Sequence, residues 1–185
     1  MRLPVALLPV VAACLGAGQM AVKPASSTVP APASAEAPRV SPQALAQLEQ
    51  SFEDKVRGLK GEEPFNLLGA SSGFYLEGYG VVLTIPLDLI YTPGVSPFRP
   101  PFTKQDQEQV HRRKVAQLPA LKQAAREMLA SAAASLSTLP MDRKISVAVR
   151  IYYMAWEDSA GLPHQIVATA DRKSALAGAI QLEEQ

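Results

Sequence analysis

The chain has 185 residues, of which 18 are basic and 17 acidic, so its formal net charge is +1. Nucleic-acid-binding domains usually carry a marked basic excess, and this near balance argues against such a role. The single cysteine excludes an intramolecular disulfide, a cysteine-ligated zinc site and an iron–sulfur cluster.

Residues 1–21 have the pattern of a secretory signal peptide. Arg2 precedes an apolar run, and small residues follow that run at Gly16 and Gly18. The run is shorter than the roughly 20 apolar residues that span a bilayer as a helix. Cleavage after Gly18 would leave Gln19 as the first residue of a formally neutral mature chain. We therefore predict an exported protein that is periplasmic, anchored in the outer envelope or secreted.

Cys14 provides an alternative processing site for this leader. Residues 11–14, Val-Ala-Ala-Cys, resemble the lipobox of bacterial lipoproteins, in which the cysteine is acylated and becomes the first mature residue. Such a lipid would attach the protein to a membrane, at about 0.8 kcal/mol for each buried methylene. Otherwise Cys14 is a small apolar residue of the leader, and the sequence leaves both endings open.

A disordered linker and one folded domain are predicted after the leader. Residues 22–40 are rich in proline, alanine and serine and hold almost no large apolar side chains. Such a segment cannot bury enough surface to offset the entropy that it would lose on ordering. The domain is predicted over residues 41–182, and it begins with Ser41 as a helix cap and Pro42 at the first helical position.

The first half of the domain changes from a helical to an extended pattern. Apolar residues at three- and four-residue steps predict a first helix that ends near Gly58 and Gly61. Residues 65–91 then follow a two-residue period, which predicts a hairpin whose second strand covers 81–90. Pro86 has no amide hydrogen for the ladder and predicts an edge position or a break.

A proline-rich loop precedes the longest helical stretch. Four prolines and a glycine make residues 92–102 an extended loop. Thr103 and the acidic residue three positions later form a capping-box pattern. Because proline lacks an amide hydrogen and clashes with the preceding turn, Pro119 should split the stretch into helices over 104–117 and 119–137.

The second half of the domain predicts another hairpin and a short helix. Residues 145–153 alternate most regularly, residues 164–170 form a partner strand, and Asp171 caps a helix over 172–177. A helix between two strand pairs predicts an α+β two-layer sandwich. We expect a small, mostly antiparallel sheet of three to five strands, with the long proline-broken helix and shorter helices on one face.

Two features raise the alternative of an envelope hydrolase. Residues 69–73 match the G-x-S-x-G pattern around Ser71, although that motif needs a helix after the serine and a strand follows here. Glu157 and Asp158 are paired carboxylates suited to acid–base work, although they lie in a hairpin turn, which is usually wet. The alternative is therefore a hydrolase that uses Ser71 or Glu157.

Aromatic residues give the leading prediction of a binding site. Tyr152, Tyr153 and Trp156 form the densest aromatic group of the chain, and Glu157 and Asp158 follow it. We expect Tyr153 in the core, and Tyr152 and Trp156 in an exposed recognition patch. Tyr79 lies between two glycines that can clear space for a ligand, although such a pair more often marks a bulge or a close backbone approach. We predict a non-enzymatic module that binds an envelope protein or a small ligand through this aromatic turn and the proline-rich loop.

The remaining polar groups predict no cofactor. The basic run 111–114 is interpreted as a solvated face near a helix C-terminus, with an anionic surface as its alternative partner. His164 has no second ligand at metal spacing, so no metal site is expected. A third interpretation is a structural module that oligomerises through an edge strand that carries Pro86.

Several segments together resemble a group of uncharacterised exported bacterial proteins. They are residues 75–87, YLEGYGVVLTIPL, the long helix, and residues 151–158, IYYMAWED. The resemblance implies a compartment outside the cytosol and implies no particular activity.

Overall fold

The computed structural model describes residues 40–59, 63–98 and 100–185. The predicted signal peptide with Cys14, and the predicted linker up to residue 39, lie outside the described residues. Helix α1, Pro42–Arg57, begins as the sequence predicts, because the Ser41 hydroxyl accepts a hydrogen bond from the Ala44 amide. Its buried face carries Leu48, Phe52 and Val56.

One six-stranded sheet forms the second layer of the described domain. Its strands are β1 Asn66–Leu67, β2 Ser72–Leu76, β3 Gly80–Asp88, β4 Lys144–Ile151, β5 Gln165–Asp171 and β6 Gln181–Glu184. The order is β1-β3-β4-β5-β6, and β2 also pairs with β3. Only β3 and β4 run parallel. The predicted α+β class and mostly antiparallel sheet are confirmed, and the C-terminal β6 adds a strand beyond the predicted five.

Helix α2, Lys104–Ser135, connects the parallel strands β3 and β4 and is continuous over 32 residues. The capping box at Thr103 is confirmed, but the predicted break at Pro119 is wrong. Pro119 has no amide hydrogen to donate to the Val115 carbonyl, four residues earlier. Because both residues are exposed, that carbonyl can bind water instead. Apolar residues before and after the proline stay in phase, and both halves of α2 therefore contact one continuous core.

The helices cover one face of the sheet. Alternate residues of β3 point toward them, and Val81, Leu83, Ile85 and Leu87 have no exposed surface. The opposite residues face away, and Phe74 on β2 keeps 53% of its surface exposed. The short helix α3, Arg172–Leu176, is capped by Asp171 as predicted. Among the described residues the result is a two-layer arrangement in which no helix covers the second sheet face, which we call the bare sheet face.

Pro86 lies within an interior strand, so the predicted edge position is wrong. Strand β3 pairs with β4 on one side and with β1 and β2 on the other. The Pro86 carbonyl accepts a hydrogen bond from the Leu68 amide at 3.1 Å. Pro86 therefore faces the interval between β1 and β2, where the neighbouring strand is interrupted and no donor is needed. Strand β3, through which the structural-module interpretation has the chain oligomerise, is thus paired on both sides within the chain.

Candidate functional site

The first half of α2 holds the turn that contains Trp156. We call residues 154–158 the tryptophan turn. The Gln107 side-chain amide donates to the Trp156 carbonyl at 2.8 Å, and His111 Nδ1 donates to the Asp158 carbonyl at 3.0 Å. One turn further along, Lys114 Nζ lies 2.5 Å from Glu157 Oε2. Residues at positions i, i+4 and i+7 share one face of a helix, so a single face of α2 fixes three consecutive residues.

Lys114 lies at the centre of a buried ionic cluster. Its ammonium group is 2.6 Å from Asp88 Oδ1, at the end of β3, and 2.5 Å from Glu157 Oε2. The three side chains are between 0% and 3% exposed. A buried ion pair of this kind contributes little net stability, but removal of one partner leaves an uncompensated charge. The cluster therefore fixes geometry where β3, α2 and the tryptophan turn meet.

Thr92 links the proline-rich loop to the same cluster. Its hydroxyl lies 2.6 Å from Glu157 Oε1 and 3.2 Å from Asp88 Oδ2. Desolvation raises the pKa of Asp88 above that of an isolated aspartate, in spite of Lys114 beside it. Burial, with the nearby carboxylates, also raises the pKa of Tyr153, whose ring centroid is 4.9 Å from the ammonium. We call Asp88, Thr92, Lys114 and Glu157 the lysine cluster.

An apolar groove lies between the proline-rich loop and the tryptophan turn. The rings of Phe102 and Trp156 stack with centroids 3.7 Å apart and planes 10° from parallel. The indole of Trp156 donates to the Pro93 carbonyl at 3.2 Å. The groove has a volume of about 460 Å³. Its described lining residues are uncharged: Val95, Ser96, Pro97, Pro100, Pro101, Phe102, Gln107 and Trp156.

The predicted binding residues do not all meet in this groove. Trp156 lines it, and Glu157 lies beneath it in the lysine cluster rather than in water. Asp158 is exposed and contributes its carbonyl to His111. Tyr152 is 42% exposed and borders separate, shallower depressions beside Arg150. Only part of the predicted aromatic group therefore belongs to one surface.

Tyr79 lies at the opposite end of β3 and belongs to a different surface. Its hydroxyl is 2.7 Å from the Ser146 hydroxyl. A Cβ atom on the neighbouring Gly80 would lie 2.0 Å from the Lys144 carbonyl oxygen. The glycine pair therefore serves the close approach of β3 to β4. A cleft of about 450 Å³ also lies at this end, but the Asp171 carboxylate in its wall is occupied in capping α3.

Ser71 is buried in the connection between β1 and β2. Its hydroxyl donates to the Glu49 carbonyl at 2.9 Å, and its amide donates to Glu53 Oε1 at 2.9 Å. Strand β2 follows it at once, so the strand–serine–helix geometry of a nucleophile elbow is not formed. These hydrogen bonds join the segment to α1.

The interpretation of residues 111–114 as a solvated face is wrong. Lys114 has no exposed surface, Arg113 pairs with Glu63, and His111 binds the tryptophan turn. The sequence does contain a signal, because Lys114 stands four residues after Val110 and four before Leu118, within the apolar stripe of α2. A lysine at such a position requires buried carboxylates, but the stripe does not say which ones.

Comparisons with known proteins identify no relative of this chain. No protein-family model, no curated protein and no solved structure matches it. Within the described residues, no group of three or more histidine, cysteine, aspartate or glutamate side chains is arranged to hold a metal ion. Among the same residues, no helix has both the length and the apolar composition needed to cross a membrane. The described residues therefore form an α+β domain with an apolar groove beside a buried lysine cluster.

Proposed function

We propose that this chain is an exported, non-enzymatic binding protein whose groove accepts an uncharged, apolar segment of an envelope protein or small ligand. The observation that carries the proposal is the meeting of the proline-rich loop with Trp156. Exposed large apolar side chains lie on the same loop: Val95 lines the groove and is 77% exposed, and Phe98, next to the lining residue Pro97, is 95% exposed. The described residues that line the groove are uncharged, and apolar side chains grouped on a concave surface are typical of ligand and partner sites.

The lysine cluster supports this proposal by making the groove rigid. Gln107 and Lys114 hold the tryptophan turn, and Thr92 ties the start of the proline-rich loop to Glu157 of that turn. A preformed site loses less conformational entropy on binding than a mobile one. The hydrolase alternative receives less support, because Glu157 is fully buried against Lys114 and the Ser71 hydroxyl is engaged with α1.

Substitution of Phe98, which follows the lining residue Pro97 on the proline-rich loop, tests the exposed apolar surface at the groove. Peptides selected from a displayed library against the purified chain serve as ligands, and their dissociation constants are measured by calorimetry. Phe98→Ser should weaken the selected peptides about tenfold, since aromatic anchors dominate binding energy. The fold should be unaffected because Phe98 is 95% exposed. The matched control is Phe74→Ser, which removes an exposed phenylalanine from the bare sheet face.

The outcome separates the two surfaces. Equal binding by the Phe98 variant and the wild type, with loss in the Phe74 variant, would move the site to the sheet face and refute the groove proposal. Trp156 is the only tryptophan of the chain, so its fluorescence reports ligand contact independently. Labelling of Ser71 by a reactive-serine probe, abolished in Ser71→Ala, would instead support the hydrolase.

Export is tested at the N-terminus of the mature protein. We expect mass spectrometry of protein from a bacterial host to find either a chain that begins at Gln19 or an acylated chain that begins at Cys14. Cys14→Ser should abolish the acylated form and leave the other unchanged. Recovery of the full-length chain, Met1 included, from the cytosolic fraction alone would contradict export.

A further inference from the structure

The lysine cluster carries an unbalanced charge. One ammonium group, from Lys114, faces the two carboxylates of Asp88 and Glu157, and all three side chains are at most 3% exposed. If both carboxylates are ionised, the cluster holds a net charge of −1 out of contact with water. An uncompensated buried charge is costly, and a buried group commonly avoids that cost by binding a proton.

The hydrogen count of the cluster leads to the same conclusion. A threonine hydroxyl carries one hydrogen, yet Thr92 Oγ1 faces Glu157 Oε1 at 2.6 Å and Asp88 Oδ2 at 3.2 Å. That hydrogen can serve only one of the two oxygens. A proton on Asp88 Oδ2 would donate to Thr92, which would in turn donate to Glu157. One added proton therefore balances the charge and supplies the hydrogen that the Asp88–Thr92 contact lacks, while the Ile90 amide, which also donates to Asp88, offsets only part of the cost of burial.

We propose that the lysine cluster is a proton-binding switch: the Asp88–Glu157 pair takes up one proton from solvent in mildly acidic solution, and this uptake tightens the hold of α2 on the tryptophan turn. The step transfers a proton from water to a carboxylate oxygen and breaks no other bond. As a regulatory device for the groove, the switch rests on the proposed function. Its protonation, however, is measurable without any groove ligand.

Several titratable and charged groups lie near the cluster and influence its titration. On α2, His111 lies one turn before Lys114, and Arg113 points to Glu63. The tryptophan turn contributes Glu157 and the exposed Asp158, and Tyr153 approaches with its ring. His164 lies edge-on to Tyr153, with ring centroids 5.1 Å apart. Desolvation raises the pKa of Asp88, which agrees with the direction of the proposal.

Carboxyl-carbon NMR of aspartate-labelled protein tests the proton site directly. The titration runs from about pH 8 to about pH 4, and Asp88→Asn identifies the resonance. We expect Asp88 to titrate above the range of an ordinary aspartate, because burial disfavours its ionised form. In Glu157→Gln that titration should move back toward the ordinary range, because Lys114 then faces a single carboxylate. If Asp88→Asn fails to fold, sequential assignment of the wild type identifies the same resonance.

Quenching of Trp156 by acrylamide tests the tightening. In the wild type, quenching should fall as the cluster takes up its proton, whereas Asp88→Asn, which mimics the protonated acid, should show constant low quenching. His164→Gln is the matched control, because this histidine lies near the cluster, edge-on to Tyr153, and is not one of the α2 residues that bind the tryptophan turn. Its transition should match that of the wild type.

Three results would overturn the switch: an ordinary titration of Asp88, an unchanged transition in Asp88→Asn, or loss of the transition in His164→Gln. Failure of the groove proposal is recognised separately, by unchanged peptide binding in Phe98→Ser while Asp88 still titrates as proposed.

Discussion

At the scale of the residue, Gly80 shows how one position can be required by a backbone contact. Its φ of +136° is unusual for any residue with a side chain, and a Cβ there would lie 2.0 Å from the Lys144 carbonyl oxygen. The neighbouring Gly78 has a φ of +79°, but no atom lies within 4 Å of the Cβ that it would carry. The two glycines therefore have different roles, one in chain approach and the other in the turn.

We expect Gly80→Ala to lower the free energy of unfolding by about 3 kcal/mol, because it combines backbone strain with a clash against β4. Gly78→Ala, the matched control, should cost only about 1 kcal/mol, the ordinary penalty of a left-handed conformation. Urea denaturation of both variants measures the difference. Equal losses would show that β3 and β4 separate without cost at this end.

At the scale of the element, α2 shows that a proline does not end a helix by itself. Buried residues lie on both sides of the proline, from Val110 to Ala133, and the proline itself is exposed. We expect Pro119→Ala to raise the free energy of unfolding by about 1–2 kcal/mol, since it restores the amide donor for the Val115 carbonyl and removes the ring clash. Thermal and chemical denaturation measure the change.

Pro101→Ala is the control for this substitution. Residue 101 lies in the proline-rich loop, where proline lowers the entropy of the unfolded chain and breaks no helix. Its replacement should therefore lower stability, by up to about 1 kcal/mol. A destabilised Pro119→Ala variant would mean that the local geometry imposed by Pro119 is needed for packing on the sheet.

At the scale of the whole molecule, stability depends on carboxylates that are held in their ionised form. The Ser71 amide lowers the pKa of Glu53, and Arg113 lowers the pKa of Glu63. Thr103 lowers the pKa of Asp106, Gln123 that of Glu127, and Ser174 that of Asp171. A carboxyl whose pKa is lower in the folded state contributes stability above its unfolded pKa and loses it as the pH falls through the folded value.

We therefore expect the free energy of unfolding to decrease as the pH falls below about 4.5, the ordinary glutamate value. Each contribution is small because these groups are largely solvated. Asp88 acts with the opposite sign, since its pKa is raised, so its contribution grows as the pH falls and is lost as the pH rises. Urea denaturation across pH measures the slope, and Glu53→Gln should reduce it. A free energy of unfolding that stays constant below about pH 4.5 would contradict these pKa directions.

Local chemistry was predictable from the sequence. The caps at Ser41, Thr103 and Asp171 and the alternation of β3 and β4 depend on residues a few positions apart, so the printed order of residues contains the needed information. The predicted split at Pro119 failed because an intrinsic preference competes with packing along the whole of α2, which a local pattern does not contain.

The candidate site was only partly predictable. Trp156 and the proline-rich loop stood out by composition, but Lys114 was assigned to solvent because the identity of its two carboxylate partners is set by sheet order and helix position. Asp88 and Glu157 are 26 and 43 residues away from it along the chain. No spacing rule relates residues so far apart. For this reason the prediction that Lys114 is exposed to solvent is wrong.

The sequence by itself determined the α+β class, the helix caps and the inward faces of the strands, because hydrogen bonding and hydrophobic periodicity act over short distances along the chain. Tertiary structure alone decided that β3 is an interior strand, that α2 is continuous, and that a buried lysine supports the groove. These outcomes depend on which distant groups share a water-free environment, since both the cost of burial and the strength of an ion pair are set by the surrounding dielectric.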